Sequence, residues 1–133
     1  MTAATLSVSI KGVLAIDGRF CLLRNARDEW ELPGGRPEPD EEPQAACVRE
    51  IAEELGLDAE ISHILDSWRY RVLPDRHVLI VTYACRPLAG VAPRVSGEHV
   101  EYGLFAAAEI EDLAMPAGYK ASIRRYLAAP PSA

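Results

Sequence analysis

The stretch GGRPEPDEEPQAACVREIAEELGL, Gly34 to Leu57, decides how the rest of the chain is read. A glycine pair opens it, an acid-rich segment follows, and a run suited to a helix ends at Gly56. Glu50, Glu53 and Glu54 stand at i, i+3 and i+4, so at about 100° per residue they share one side of that helix. Val48, Ile51, Ala52 and Leu55 fall on the other side, as the apolar stripe of a core-facing helix requires. Packing has no use for three clustered carboxylates, which repel one another by roughly a few tenths of a kcal/mol per pair. A hard divalent cation is the first candidate to neutralise them. Without any further pattern, three acids on an exposed helix face are ordinary solvated charges.

Working outward, the helix is expected to begin near Pro43, which suits a first helical position. Glu38, Asp40, Glu41 and Glu42 precede it and favour its positive end, and Gly56 is the expected stop. Upstream, WELPGG (Trp30 to Gly35) holds Pro33 and the two glycines, which should interrupt any regular element and let backbone approach a ligand. Ahead of it, Leu6 to Ile16 reads as one long strand or a strand with a bend. Asp17-Gly18 signals a hairpin turn, and Phe20 to Leu23 a second strand ending in Arg24 and Asn25.

Downstream, Ala59 to Val72 is extended, Pro74-Asp75 turns, and His77 to Cys85 returns as the partner of a second hairpin. Arg86 to Gly97 reads as a loop, Val100 to Ala106 as a short strand and Glu109 to Leu113 as a helical turn. Tyr119 to Ala128 closes the pattern as an amphipathic helix with Ile123, Tyr126 and Leu127 inward. Hairpins without regular βαβ alternation, flanking two helices, indicate an α+β fold built around a mixed sheet. The length of 133 residues suits one domain over 1–133, with 128–133 a flexible tail.

Composition narrows the function classes. A formal net charge of −6 argues against broad binding to nucleic acid or anionic membranes. No run reaches membrane-span length, and the first residues lack a signal-peptide pattern, so a cytoplasmic location is expected. Cys21, Cys47 and Cys85 lack close-pair metal spacing and read as reduced, buried thiols.

Counted from Gly35, the order is Gly35, five residues, Glu41, seven residues, Arg49-Glu50, Ile51, Ala52, Glu53-Glu54, Leu55, Gly56 and Leu57. This resembles the Nudix box, G-x5-E-x7-R-E-U-x-E-E-x-G-U with U a bulky apolar residue, at every fixed position. The strand ending in LLR, the WELPGG lead-in and the late EHVEYGLF (Glu98 to Phe105) extend the resemblance over most of the chain. It implies an α/β/α sandwich that hydrolyses a nucleoside diphosphate linked to another moiety, using Mg²⁺ or Mn²⁺. The implied metal ligands are Glu53 and Glu54, the Gly35 carbonyl and Glu50, with Glu50 alternatively the base. Arg49 and Glu41 would orient them, so that Glu50, Glu53 and Arg49 form the catalytic group. A late-loop glutamate would join it, with Glu98 preferred to Glu101.

For substrate, Arg24 matches a phosphate-contacting position of relatives. In SWRYRVLPDRH the aromatic Trp68 and Tyr70 share one strand face while Arg69 and Arg71 share the other, so that Tyr70, Arg69 and Arg71 are candidate substrate contacts. The competing reading packs these aromatics in the core and leaves the arginines to water. The expected substrate is a nucleoside triphosphate, including oxidised ones, with ADP-ribose or another nucleotide sugar as the alternative. A noncatalytic nucleotide-binding regulator is the reading from another class, and it would be expected to have lost box acids that are all retained here. A homodimer stays open.

Overall fold

The computed structural model describes residues 5–88, 92–94 and 101–132. β1 (Thr5–Ile16) turns through Asp17-Gly18 into β2 (Arg19–Arg24). Both turn residues have positive φ, 51° and 77°, as the tight turn signalled by Asp-Gly demands. After β3 (Trp30–Glu31) the glycine pair forms a two-residue strand, β4 (Gly34–Gly35), where an interruption was expected. Lying opposite Lys11 and Ile10 of β1 gives the pair backbone partners without lengthening the turn. Gly34 has φ 141°, and a Cβ there would run into the Ile10 carbonyl, so only glycine can be pressed this closely against β1.

The helix α1 (Pro43–Leu55) starts on its proline and stops at Gly56, whose left-handed backbone caps it. β5 (Ala59–Leu73) and β6 (Arg76–Pro87) form the second hairpin. β6 runs two residues past Cys85, into the stretch expected to be loop. β7 (Glu101–Phe105), the short α2 (Ala107–Ile110) and α3 (Ala117–Ala128) follow. The sheet order is β3-β2-β1-β6-β5, with β4 on β1 and β7 on β2. β1 and β6 are parallel while the remaining pairs are antiparallel, which makes the sheet mixed.

Strand alternation divides the core into two layers. Ile10, Leu14, Cys21, Leu23, Tyr83 and Cys85 pack under Ala46, Cys47, Ile51 and Leu55 of α1. Val13, Phe20, Leu22 and Ile80 pack on the other face against Ile110, Tyr119 and Ile123 of α2 and α3. Helices thus cover both faces, as an α/β/α sandwich requires. Two details differ from the helical patterns read off the sequence. In α1 the buried line is Ala46, Cys47, Ile51 and Leu55, with Val48 and Ala52 only half-buried at its margins. In α3 Leu127 is exposed and Ser122 is buried, because its hydroxyl meets that of Thr82 on β6 at 2.9 Å. Beyond α3 the Ser132 carbonyl accepts a hydrogen bond from Arg86 Nη1 at 2.5 Å, so the tail is tied back to β6.

All three cysteines are free and buried. Burial pushes the Cys21 thiol up to about 12, and the bond with Cys47 together with burial raises Cys85.

Candidate active site

The acids of α1 meet the sheet at the β4 turn. The Gly34 amide donates to Glu54 Oε1 at 2.7 Å, so the turn and the helix are joined by a charge-assisted bond. Glu50 lies against Gly35: a Cβ on Gly35 would fall 2.6 Å from the Glu50 carboxyl carbon. Any larger residue there would displace the Glu50 carboxylate from the turn.

Arg49 organises the remaining acids. Its Nε and Nη2 donate to the two oxygens of Glu41 at 2.7 and 2.8 Å, a bidentate pair. Nη1 donates to Glu50 at 3.0 Å and to Glu53 at 3.3 Å, and Nη2 also reaches the Arg36 carbonyl at 3.2 Å. One guanidinium therefore bridges three carboxylates and the loop that follows the turn. These Arg49 bonds, and then the Glu38 amide, hold the Glu41 carboxyl down to about 2. Glu53 is the most open of the three partners, with 59% of its side chain exposed.

Carboxylates and backbone carbonyls are hard oxygen donors, so the chemistry of this group fits Mg²⁺ or Mn²⁺ better than a softer ion. Among the described residues, however, no three Asp, Glu, His or Cys side chains are gathered as a ready-made metal cage. The three helix acids have different protein partners. Arg49 draws Glu50 and Glu53 together while the Gly34 amide holds Glu54. Glu98 lies outside the described residues. Glu101, the alternative late carboxylate, accepts a bond from Arg24 Nη1 at 2.6 Å across the β2–β7 pair.

On the opposite face of the sheet is a cleft of about 200 Å³. Its floor is the polar row Ser7, Ser9 and Lys11 of β1, with Val78 and Ile80 of β6 beside it. Tyr70 and Tyr119 form aromatic walls, and Arg27, Arg36, Arg76 and Glu31 edge the opening. Burial raises the Tyr70 and Tyr119 phenols; the next contribution comes from Glu29 for Tyr70 and from Glu31 for Tyr119. Gly35 lines this cleft as well, so the β4 turn borders both the cleft and the acids of α1.

Of the expected substrate contacts, Tyr70 lines the cleft. Arg69 and Arg71 do not, because strand alternation turns them from the face that carries Tyr70 and Val72. Both are exposed, and Arg69 Nη1 lies 3.2 Å from His77 Nδ1. Arg24 is engaged by Glu101 and Asp28. Trp68 packs edge-on to Tyr119 at 5.2 Å, and Trp30 edge-on to Phe105 at 4.7 Å, both in the α3-side layer. Lys11, Arg36 and Arg76 also line the cleft, and no motif in the sequence marks Arg36 or Arg76 for it. A signal for Lys11 was available: in β1 it shares a face with Val13, a core position, so a lysine there must be buried or serve a cleft.

A family model described as NUDIX domain matches residues 4–127. The chain is 36% identical over 94 residues to a MutT-like protein of Streptomyces ambofaciens; the match covers 69% of this chain but 58% of the relative's length. It is 29% identical over 111 residues to the CTP pyrophosphohydrolase of Escherichia coli (strain K12), covering 71% of this chain and 80% of that protein. The structure of a MutT protein from Methanosarcina mazei Go1 superimposes with a TM-score of 0.82 over 96% of this chain and 97% of that one, at 23% identity.

Proposed function

The chain belongs to the NUDIX family, and from that premise we propose that it is a hydrolase that cleaves a phosphoanhydride bond in a nucleoside triphosphate. The observation that carries this reading is the double role of the β4 turn. Gly34 bonds Glu54 on the acid side, and its neighbour Gly35 opens into a cleft edged by cations on the other. A substrate can lay its organic moiety against Tyr70, whose ring meets Tyr119 edge-on at 6.4 Å, and pass its phosphates over Gly35 toward α1. A neighbouring contact that pushed the phosphates onto bare carboxylates would be repulsive, which is why the acid face calls for a counter-ion.

Hydrolases of this family generally use divalent metal. Glu50, Glu53, Glu54 and the Gly35 carbonyl would hold such a cation, Mg²⁺ or Mn²⁺ in our reading, and it would neutralise phosphate oxygens and make a water more acidic. The chain's own residues do the rest. Glu50 takes the proton of the attacking water, supported by the contact of its carboxyl with Gly35. Water oxygen bonds to phosphorus, the P–O–P link breaks, and the bridging oxygen departs with its phosphoryl group, without an enzyme-bound intermediate. Arg49 keeps Glu50 and Glu53 oriented through this change and is itself fixed by Glu41.

The nucleoside triphosphate reading is favoured over a nucleotide sugar by the similarity to a CTP pyrophosphohydrolase over 80% of that protein. Incubation with Mg²⁺ and a panel of nucleoside triphosphates, oxidised purine triphosphates and ADP-ribose, followed by chromatography of the products, tests it. Release of a nucleoside monophosphate and pyrophosphate is the expected outcome. Turnover of ADP-ribose alone would replace the substrate, and turnover of no anhydride would remove the reading.

A further inference from the structure

Lys11 is a charge buried without a counter-charge. It is 6% exposed, and its Nζ donates to one carbonyl, that of Gly34, at 3.4 Å. Among the described residues no carboxylate lies within ion-pair distance of it. An ammonium has three donors, and burying it with one long bond is costly unless something else meets it. The position of that something is defined. Lys11 lines the cleft, on the strand face that also carries Ser7 and Ser9, and it bonds the carbonyl of Gly34, the residue whose N–H holds Glu54. Its charge therefore stands directly behind the turn that separates the cleft from the acids.

We propose that Lys11 is the base of an anion subsite on the cleft side of the β4 turn, and that this subsite takes the phosphoryl group that stays on the organic moiety when the anhydride is cut. This rests on the reading of the chain as a phosphoanhydride hydrolase and adds a residue that acts independently of metal. The acid side neutralises phosphate only with a cation present, whereas Lys11 does so with its own charge. Arg36, which follows the turn and edges the same cleft, adds to the positive field there. The substrate class follows: compounds that keep a phosphate on the retained moiety are bound, and inorganic pyrophosphate, which has no such moiety to fill the cleft, is bound poorly.

The test separates this subsite from metal chemistry. Binding of CMP, GMP and AMP to the full chain is measured calorimetrically in excess EDTA, for wild type, Lys11→Met and Lys11→Arg. Wild type is expected to bind at least one monophosphate, Lys11→Met to bind it about tenfold or more weakly, and Lys11→Arg to stay within about threefold. The thermal midpoint of ligand-free Lys11→Met should equal or exceed that of wild type, because the variant removes an unpaired buried charge. Equal affinity in Lys11→Met and wild type would overturn the proposal. So would the absence of monophosphate binding in wild type, or a lowered midpoint in Lys11→Met with binding unchanged, which would make Lys11 a prop for the Gly34 carbonyl. If monophosphates bind through Lys11 but no anhydride is ever hydrolysed, the subsite stands and the hydrolase reading fails. Hydrolysis with unchanged binding in Lys11→Met gives the reverse.

Discussion

The two sides of the β4 turn solve opposite electrostatic problems. On the α1 side, Glu41, Glu50 and Glu53 share the single guanidinium of Arg49, so negative charge is in excess but thoroughly bonded. On the cleft side, Lys11, Arg27, Arg36 and Arg76 line the cleft with Glu31, Arg27 also reaches Glu29 at 3.5 Å, and Lys11 is buried with a carbonyl for company. The first side is built to hold its shape while it receives positive charge; the second is built to receive negative charge. A phosphate ester crossing the turn meets both requirements in one molecule. On the proposed reading, orientation and chemistry belong to α1 and retention of the substrate to the cleft, and each half can be disturbed separately.

Arg49→Lys should disturb the chemical side most. A lysine keeps the charge but cannot bond Glu41 bidentately while also reaching Glu50 and Glu53. With the carboxylates free to shift, kcat is expected to fall about 100-fold with KM changed far less. Steady-state kinetics at saturating Mg²⁺ measure the split, and a change confined to KM would mean that Arg49 binds substrate. Tyr70→Ala should disturb the other half, raising KM about tenfold with kcat within about twofold. An equal fall in kcat would show that the cleft and α1 are not separable in this way.

The smallest expected effect is the acid sensitivity of the Arg49 clamp. Glu41 is held down to about 2 from an ordinary value of 4.5. Its contribution to stability is therefore complete above about 4.5 and is lost as pH falls from there toward 2. Urea midpoints compared at pH 7 and pH 3 should drop less in Glu41→Gln than in wild type. Identical drops would mean that the clamp leaves stability untouched.

These two halves were not equally legible in the sequence. The acid side is written within one helix and the turn before it, so spacing alone brings Glu50, Glu53 and Glu54 to one face and Arg49 beside them. Even there, periodicity did not say that Arg49 would sit among the acids, because a side chain's choice between partners depends on Glu41 and the Arg36 carbonyl, which the loop delivers. The cleft is assembled from β1, β3, β4, β5, β6, α3 and the loops on either side of β3 and β4, and no local pattern announces such a gathering. Alternation along β5 correctly separated Tyr70 from Arg69 and Arg71, but which face looks into a cleft is decided by the pairing with β6 and by α3. Gly34-Gly35 carries the sequence signal of a break in regular structure. It became a strand because a glycine pair is also what lets two backbones lie this close.

The division of labour is tested most directly by the steady-state kinetics of Glu54→Gln with Mg²⁺ and the best nucleotide of the panel. Glutamine keeps a carbonyl oxygen for the Gly34 amide, so the turn should hold while the negative charge is lost. A fall in kcat of about 100-fold or more, with KM and thermal midpoint close to wild type, is the expected result. Unchanged turnover in Glu54→Gln would contradict the assignment of the chemistry to the acid face of α1.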